Sequence, residues 1–191
     1  MASIVHNETT DVRSIDMDQY ISGNIIFTTS CCIWTTDGMA KTLIAGGTNP
    51  NELGYRENVG VDARFRYPTG FVQIKCTYVV LADAGNKCLR MVNRTNDQTS
   101  EFSGLCTSVN STLIAPFDVE RDRMNKNQLL ITDSNVQAVF VADAENGNLS
   151  VFAHDASINN ARGLTQDHSG NILITCRHAV YKISYLCLEI K

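Results

Sequence analysis

The sequence predicts an all-β chain made of four tandem units, each holding about four short strands. Three observations predict it. The first is a recurring apolar run: Asn24-Ile25-Ile26-Phe27-Thr28, Tyr78-Val79-Val80-Leu81-Ala82, Gln128-Leu129-Leu130-Ile131-Thr132 and Asn171-Ile172-Leu173-Ile174-Thr175. The second is phase, since successive runs start 54, 50 and 43 residues apart. The third is that every run sits in the same frame of neighbouring strands. Each run is short, rich in β-branched residues or Leu, and bounded by turn formers, which suits a buried strand and not a helix.

The frame is justified element by element. A first strand is expected before each run, at residues 13–18, 70–74, 117–122 and 162–167. A third follows at 33–35, 89–92, 139–141 and 180–183. The turn signals Asp37-Gly38, Asn96-Asp97 and Asn146-Gly147 then precede a fourth strand at 42–45, 99–102 and 149–152. Four short antiparallel strands repeated about every 45 residues is the arithmetic of a β-propeller blade. A β-sandwich predicts no phased repeat. The blades are expected at about 12–45, 63–103, 113–153 and 160–191, within a single domain spanning 1–191. The fourth stops early. Its outer strand comes either from residues 186–191 or from Ser3-Ile4-Val5-His6, the closure device of propellers.

Composition bounds the function. The chain has 191 residues and 43% hydrophobic content, enough for a substantial core. A formal charge of -4 gives no general pull toward nucleic acid or anionic membrane. With 19% charged residues and three prolines, the chain does not read as a disordered tail. No stretch has the apolar length of a membrane span. Met1 to Asp11 carries neither the basic nor the apolar region of a signal peptide.

The redox clues conflict. Seven cysteines are many, but the number is odd, and no CxxC or paired zinc-site spacing occurs. Four glycosylation sequons begin at Asn7, Asn93, Asn110 and Asn148. Localisation stays open; the sequons favour an extracellular setting if the chain is part of a longer secreted or membrane protein. In that setting Cys88 and Cys106 are the expected disulfide. Cys88 begins the third strand of the second blade and Cys106 follows that blade's outer strand. Such a bond contributes about 3 kcal/mol by chain-entropy arguments.

Three stretches carry a family resemblance: Thr42-Leu43-Ile44-Ala45-Gly46-Gly47, Ala63-Arg64-Phe65-Arg66-Tyr67-Pro68-Thr69-Gly70, and Leu81-Ala82-Asp83-Ala84-Gly85-Asn86-Lys87-Cys88-Leu89-Arg90. They resemble NHL repeats. In that family "AG" ends the outer strand, "A-x-F-x-x-P-x-G" leads into the next blade, and "AD-x-x-N-x-x-(I/L)-R" marks the hairpin between second and third strands. The match is sharp in the second blade, moderate in the third (Ala115-Pro116, Thr132-Asp133-Ser134-Asn135) and loose in the others, where Thr29 and Cys176 replace the hairpin Asp. The resemblance implies a usually six-bladed ring, so four repeats read as an incomplete one.

The residues themselves read structurally first. Asp83 and Asp133 suit a turn role, accepting backbone N–H groups. Phe65, Phe71, Phe117 and Phe140 suit packing between blades, and Trp34 suits a core position. No catalytic motif occurs. The leading functional reading is therefore a non-catalytic binding or scaffold module that presents propeller loops to a protein or glycan partner. The expected surface is the Gly- and Asn-rich stretch 46–62, with Asn51, Glu52, Tyr55 and Arg56, joined by Arg64 and Arg66 at the start of the next blade. No cofactor or metal is called for. The alternative is a channel-metal lyase or hydrolase of the amidating-lyase type, implied by the resemblance, with His154, His168 and His178 as the histidines at hand. Nucleic acid is a third reading; Arg64, Arg66, Arg121 and Arg123 sit near blade starts, but the net charge opposes it.

An incomplete ring leaves apolar faces and strand edges on its end blades. Missing blades in a longer parent protein, dimerisation through the end blades, or a small four-bladed ring sealed by Ser3 to His6 would each satisfy them. The first is favoured, because it also accommodates the sequons.

Overall fold

The computed structural model describes residues 11–104, 106, 109 and 111–184. Among them, fifteen strands form four antiparallel sheets in chain order. The first blade is β1 (Ser14–Met17), β2 (Ile25–Thr28), β3 (Cys32–Thr36) and β4 (Lys41–Gly46). The second is β5 (Pro68–Ile74), β6 (Tyr78–Asp83), β7 (Cys88–Asn93) and β8 (Gln98–Ser103). The third is β9 (Pro116–Arg121), β10 (Gln128–Asp133), β11 (Ala138–Asp143) and β12 (Leu149–His154). The fourth shows β13 (Leu164–Gln166), β14 (Ile172–Thr175) and β15 (Val180–Ile183). Both expected sources of its outer strand, Ser3 to His6 and residues 186–191, lie outside the described residues. This is a four-bladed β-propeller whose ring is not closed by hydrogen bonds among the described residues.

The four apolar runs became β2, β6, β10 and β14. A middle strand of a blade is buried on both faces, so it reads as a continuous apolar run and not as an alternation. Val79 to Asp83 and Leu129 to Asp133 are all buried. The outer strand β12 has no buried residue and is half-buried or exposed throughout instead.

Three apolar clusters fill the three blade interfaces. Ile26, Ile33 and Ile44 meet Phe71, Val79 and Leu81. Val80, Ala82 and Leu89 meet Val119, Ile131 and Phe140. Leu130, Val139 and Val141 meet Leu164, Ile172 and Ile174. Burying one such side chain contributes about 1.5–3 kcal/mol. Phe65, Phe71 and Phe140 are in these clusters, while Phe117 is half-buried beneath the Arg162 guanidinium.

Polar staples set the register of one blade on the next. The Thr28 hydroxyl donates to the Thr69 carbonyl at 2.8 Å. The Thr69 hydroxyl donates to the Pro116 carbonyl at 3.3 Å, and that of Thr132 to the Arg162 carbonyl at 2.5 Å. Each interface thus has a hydroxyl fixed on the segment that begins the following blade. Two glutamines brace the other end of the inner strands. Gln73 accepts from the Gln19 N–H and donates to the Met17 carbonyl. Gln166, at the same register, accepts from the Arg123 N–H and donates to Asp122. Asp18 and Arg94 add a buried ion pair between the first two blades, 3.3 Å apart. Burial pushes the Asp18 carboxyl up, but Arg94, the N–H groups of Tyr20 and Ile21 and the Thr35 hydroxyl together hold it below the ordinary value.

The hairpin aspartates do more than close a turn. Asp133 accepts from the Asn135 N–H within its own turn, and from the N–H groups of Ile114 and Ala115 at the start of its blade. Asp83 accepts from the Arg66 N–H at 2.8 Å, the Asn86 amide at 2.7 Å and the Arg90 guanidinium at 3.3 Å. Both members of the Asp83–Arg90 pair are fully buried. Arg90 spends its other donors on the carbonyls of Arg56, Arg64 and Ser100, and its guanidinium lies 4.5 Å from the Tyr55 ring. A buried charge persists only when its donors are satisfied in this way.

Cys88 and Cys106 are disulfide-bonded, with α-carbons 4.9 Å apart. The adjacent Cys31 and Cys32 are bonded as well, a pairing the sequence did not suggest. Cys76 is free and exposed, and Cys176 is free and half-buried.

Replacing Arg90 by Met is expected to cost about 3–5 kcal/mol, because it strands the Asp83 carboxylate in the core. The Asp83→Leu/Arg90→Met double variant should lose less than the sum of the two single changes. Urea denaturation of the four species measures this; simple additivity would show that the pair is not coupled.

Candidate functional site

The inner strands β1, β5 and β9 converge on a cleft of about 360 Å³, lined by Asp16, Gln73, Glu120 and Asp122, with Arg121, Arg123 and Lys126 beside them. Register explains why acidic groups meet there. Asp16 pairs with Ile26, Val72 with Val80, Glu120 with Leu130 and Thr165 with Leu173. These four positions are equivalent from blade to blade, so Asp16 and Glu120 stand at the same level of the propeller.

Most carboxylates around the cleft are committed. Asp16 accepts from the Gln73 amide and the Met17 N–H. Asp118 accepts from the N–H groups of Val119 and Leu164. Asp122 accepts from the Met124 N–H and the Gln166 amide. The Glu120 carboxylate accepts no hydrogen bond among the described residues. Burial pushes its carboxyl up to about 7, the charges of Asp118 and Asp16 add to the effect, and Arg123 opposes it. A carboxyl poised near neutrality in a cleft can accept a cationic or donor group, or take up a proton.

The loop residues singled out from the sequence lie elsewhere, beside the outer strand of the second blade. The Asn58 carbonyl accepts from the Thr99 N–H, the Gly60 N–H donates to the Asp97 carbonyl, and Val59 bridges Gln98. The segment therefore covers the edge of β8. Asn51 is exposed in a turn made by Asn49. Glu52 pairs with Arg64 at 3.0 Å, and Arg64 also donates to the Ala63 carbonyl. The Tyr55 hydroxyl donates to Glu57 and Glu101; burial, then the hydrogen bond to Glu57, pushes its pKa up to about 12. Arg56 is exposed, with its carbonyl held by Arg90. Arg66 is exposed and lies so close over Gly85 that a Cβ there would fall 2.3 Å from its Cγ. Of these six residues the structure joins Glu52 to Arg64, and none of them lines the cleft.

The other expected positions are scattered. His154 ends β12, His168 lies in the β13–β14 turn and His178 in the β14–β15 turn, all exposed. Among the described residues no three His, Cys, Asp or Glu side chains are grouped to hold a metal ion. Asn148 is exposed at a turn. Asn93 is half-buried, and its side-chain oxygen accepts from the N–H and hydroxyl of Thr95 in its own sequon. Asn7 and Asn110 lie outside the described residues. A second cavity, of about 250 Å³, opens between Ser157, Asn159, Cys176, His178 and Tyr181. It lies where Cys176 replaces the hairpin Asp. Burial pushes that thiol's pKa up, against the opposing pull of the Asn159 backbone.

Sequence reasoning missed Glu120. One signal was present in outline: Glu120 and Asp16 occupy the same place in their repeats, a position where the second blade has Val72.

No family model matches the sequence, and no curated protein matches it either. Solved structures do match. A catalytically inactive virginiamycin B lyase from Staphylococcus aureus with quinupristin superposes at a TM-score of 0.67 and 12% identity, over 94% of this chain and 54% of that one. A structure assigned as a gluconolactonase gives 0.66 and 16%, over 94% and 61%. A nidogen/laminin complex gives 0.62 and 12%, over 86% and 56%. The chain thus spans little more than half the length of these proteins. At such identities the likeness shows a shared fold, the β-propeller.

Proposed function

We propose that this chain is a non-catalytic binding module that takes a basic group of a protein partner at the axial cleft. The observation that carries the reading is Glu120, an acceptor without a hydrogen-bond partner among otherwise committed carboxylates. A lysine or arginine side chain entering the cleft would supply the missing donor and stabilise the ionised form. The neighbouring Asp16 and Asp118 add attraction, and Arg121, Arg123 and Lys126 would select an isolated cation over a basic run. The strap bearing Asn51, Glu52, Tyr55, Arg56, Arg64 and Arg66 is a second contact zone, on the outer side of the second blade. A nidogen complex among the fold's members supports a protein-binding role by analogy alone.

A second reading has one observation in its favour. A carboxyl at about 7 suits a general base, and two of the similar folds are named as a lyase and a gluconolactonase. It expects turnover of a lactone or ester that falls with Glu120→Gln.

A peptide-display selection on the immobilised chain, followed by binding to Glu120→Gln, tests the leading reading. Enrichment of basic residues, with affinity lowered about tenfold or more in the variant, is expected. Peptides without a basic residue, or binding indifferent to the substitution, would refute it. Lactone hydrolysis by the wild-type chain that Glu120→Gln abolishes would replace it with the enzyme reading.

Glu120 also makes a pH prediction. Its folded value of about 7 lies above the ordinary 4.5, so folding favours the protonated form. The resulting stability is full below about pH 4.5 and is lost as pH rises through 7. Glu120→Gln removes that dependence. The variant should match wild type at pH 4 and exceed it by about 1–2 kcal/mol at pH 8, allowing for solvent at the mouth of the cleft. Denaturant midpoints at the two pH values check this; an equal difference at both would show that Glu120 titrates normally.

A further inference from the structure

The axial cleft carries opposite charges in separate places. Its acidic side is Asp16 and Glu120, at one register of β1 and β9. Its basic side is Arg121, Arg123 and Lys126, the last residue of β9 and two residues of the β9–β10 turn. Glu120 is half-buried, whereas Arg123 and Lys126 are exposed, so the cations stand at the mouth and the carboxylate stands deeper. Arg123 is still near enough to Glu120 to favour its ionised form.

Two things set these cations apart. Arg64, Arg90, Arg94 and Lys182 each reach a carboxylate of this chain. The charged ends of Arg121, Arg123 and Lys126 reach none among the described residues, although acidic side chains outnumber basic ones, 20 to 16. The turn that bears them is also held in place. The Arg121 Nε donates to the Lys126 carbonyl at 2.8 Å, the Arg123 N–H to the Gln166 side chain at 2.7 Å and the Met124 N–H to Asp122 at 2.9 Å. The main chain beneath the three charges is therefore fixed before any ligand arrives, which lowers the entropy lost on binding.

A simple ion meets a conflict here. A cation drawn to Glu120 passes three positive groups at the mouth, and an anion held at the mouth faces Asp16 and Glu120 behind it. A ligand bearing both charges satisfies both sides, since each of its ends meets the opposite sign. We propose that the cleft recognises a lysine or arginine side chain together with a carboxylate close beside it, the cation at Glu120 and the carboxylate among Arg121, Arg123 and Lys126. Two sources supply that carboxylate. One is an acidic side chain two residues from the basic one, which an extended peptide presents on the same side. The other is the terminal carboxylate of a chain that ends in lysine or arginine. A guanidinium fork suits paired contact with either. The inference rests on the cation-binding reading of Glu120 given above and adds the second half of the ligand.

Fluorescence polarisation of the whole chain with two pairs of labelled, otherwise neutral peptides tests it. In one pair a lysine is followed two places later by glutamate or by glutamine. In the other the peptide ends in lysine, as a free acid or as an amide. In at least one pair the carboxylate form is expected to bind about tenfold or more tightly, and the pair that responds identifies the source. In the Arg123→Glu/Lys126→Glu variant the order within that pair should reverse, because the carboxylate then meets like charge. Both side chains are exposed, and circular dichroism checks that the variant folds; the wild-type comparison stands without it. Equal affinity within both pairs, or a preference for the carboxylate that survives the charge reversal, would overturn the proposal. If the glutamine and amide peptides bind as well as their partners and Glu120→Gln weakens them, the cation reading stands and the carboxylate half falls. If no peptide binds, or binding ignores Glu120, both fall.

Discussion

Everything in this structure depends on one constraint: a blade with apolar side chains on both faces cannot stand alone. Its middle strands gain burial only when a neighbour covers each side, so the clusters centred on Ile26, Val80 and Leu130 lie between blades and not within them. Apolar packing is weakly directional, and sliding one sheet over another would cost it little. The polar staples supply direction. A threonine hydroxyl on a carbonyl, a glutamine brace and the Asp18–Arg94 pair each satisfy buried polar groups in a single register only. Stability comes from the apolar faces, and angular order comes from a few hydrogen bonds.

How much of this was legible in the sequence follows from range. The runs at β2, β6, β10 and β14 were visible because burial on both faces is written into five consecutive residues. The Cys88–Cys106 bond was legible because both cysteines flank one blade's outer hairpin. Asp83, Asn86 and Arg90 stood out as a motif, but their purpose did not: Arg90 is spent mostly on carbonyls of residues 56, 64 and 100, and backbone acceptors have no letter. For the same reason the stretch 46–62 looked like a free loop, whereas part of it runs along β8. The axial cleft was harder still. Asp16, Gln73 and Glu120 come from three blades and meet only once the register of each inner strand is known.

The two functional readings differ in what Glu120 meets, not in where it stands. A carboxyl raised by burial and like charge serves a binder when a cation completes it, and serves a catalyst when a proton must be moved. Propellers accommodate both uses because side chains at one register of each inner strand line the axis; here only Val72 among them also packs against a blade interface. Val72 and Thr165, standing where Asp16 and Glu120 stand, show that this position tolerates apolar, hydroxyl and acidic residues within a single chain.

The threonine staple has a consequence for how such proteins change over time. It links a side chain of one repeat to a main-chain carbonyl of the next, so the receiving repeat needs no particular residue at that point: Thr69, Pro116 and Arg162 all serve. The donor is less uniform: Thr28 and Thr132 reach across from second strands, whereas in the second blade, with Ala82 at that register, Thr69 does so from the inner strand. Blade number in a fold stapled this way can change by whole units, while the axial side chains, which the staple does not involve, vary independently.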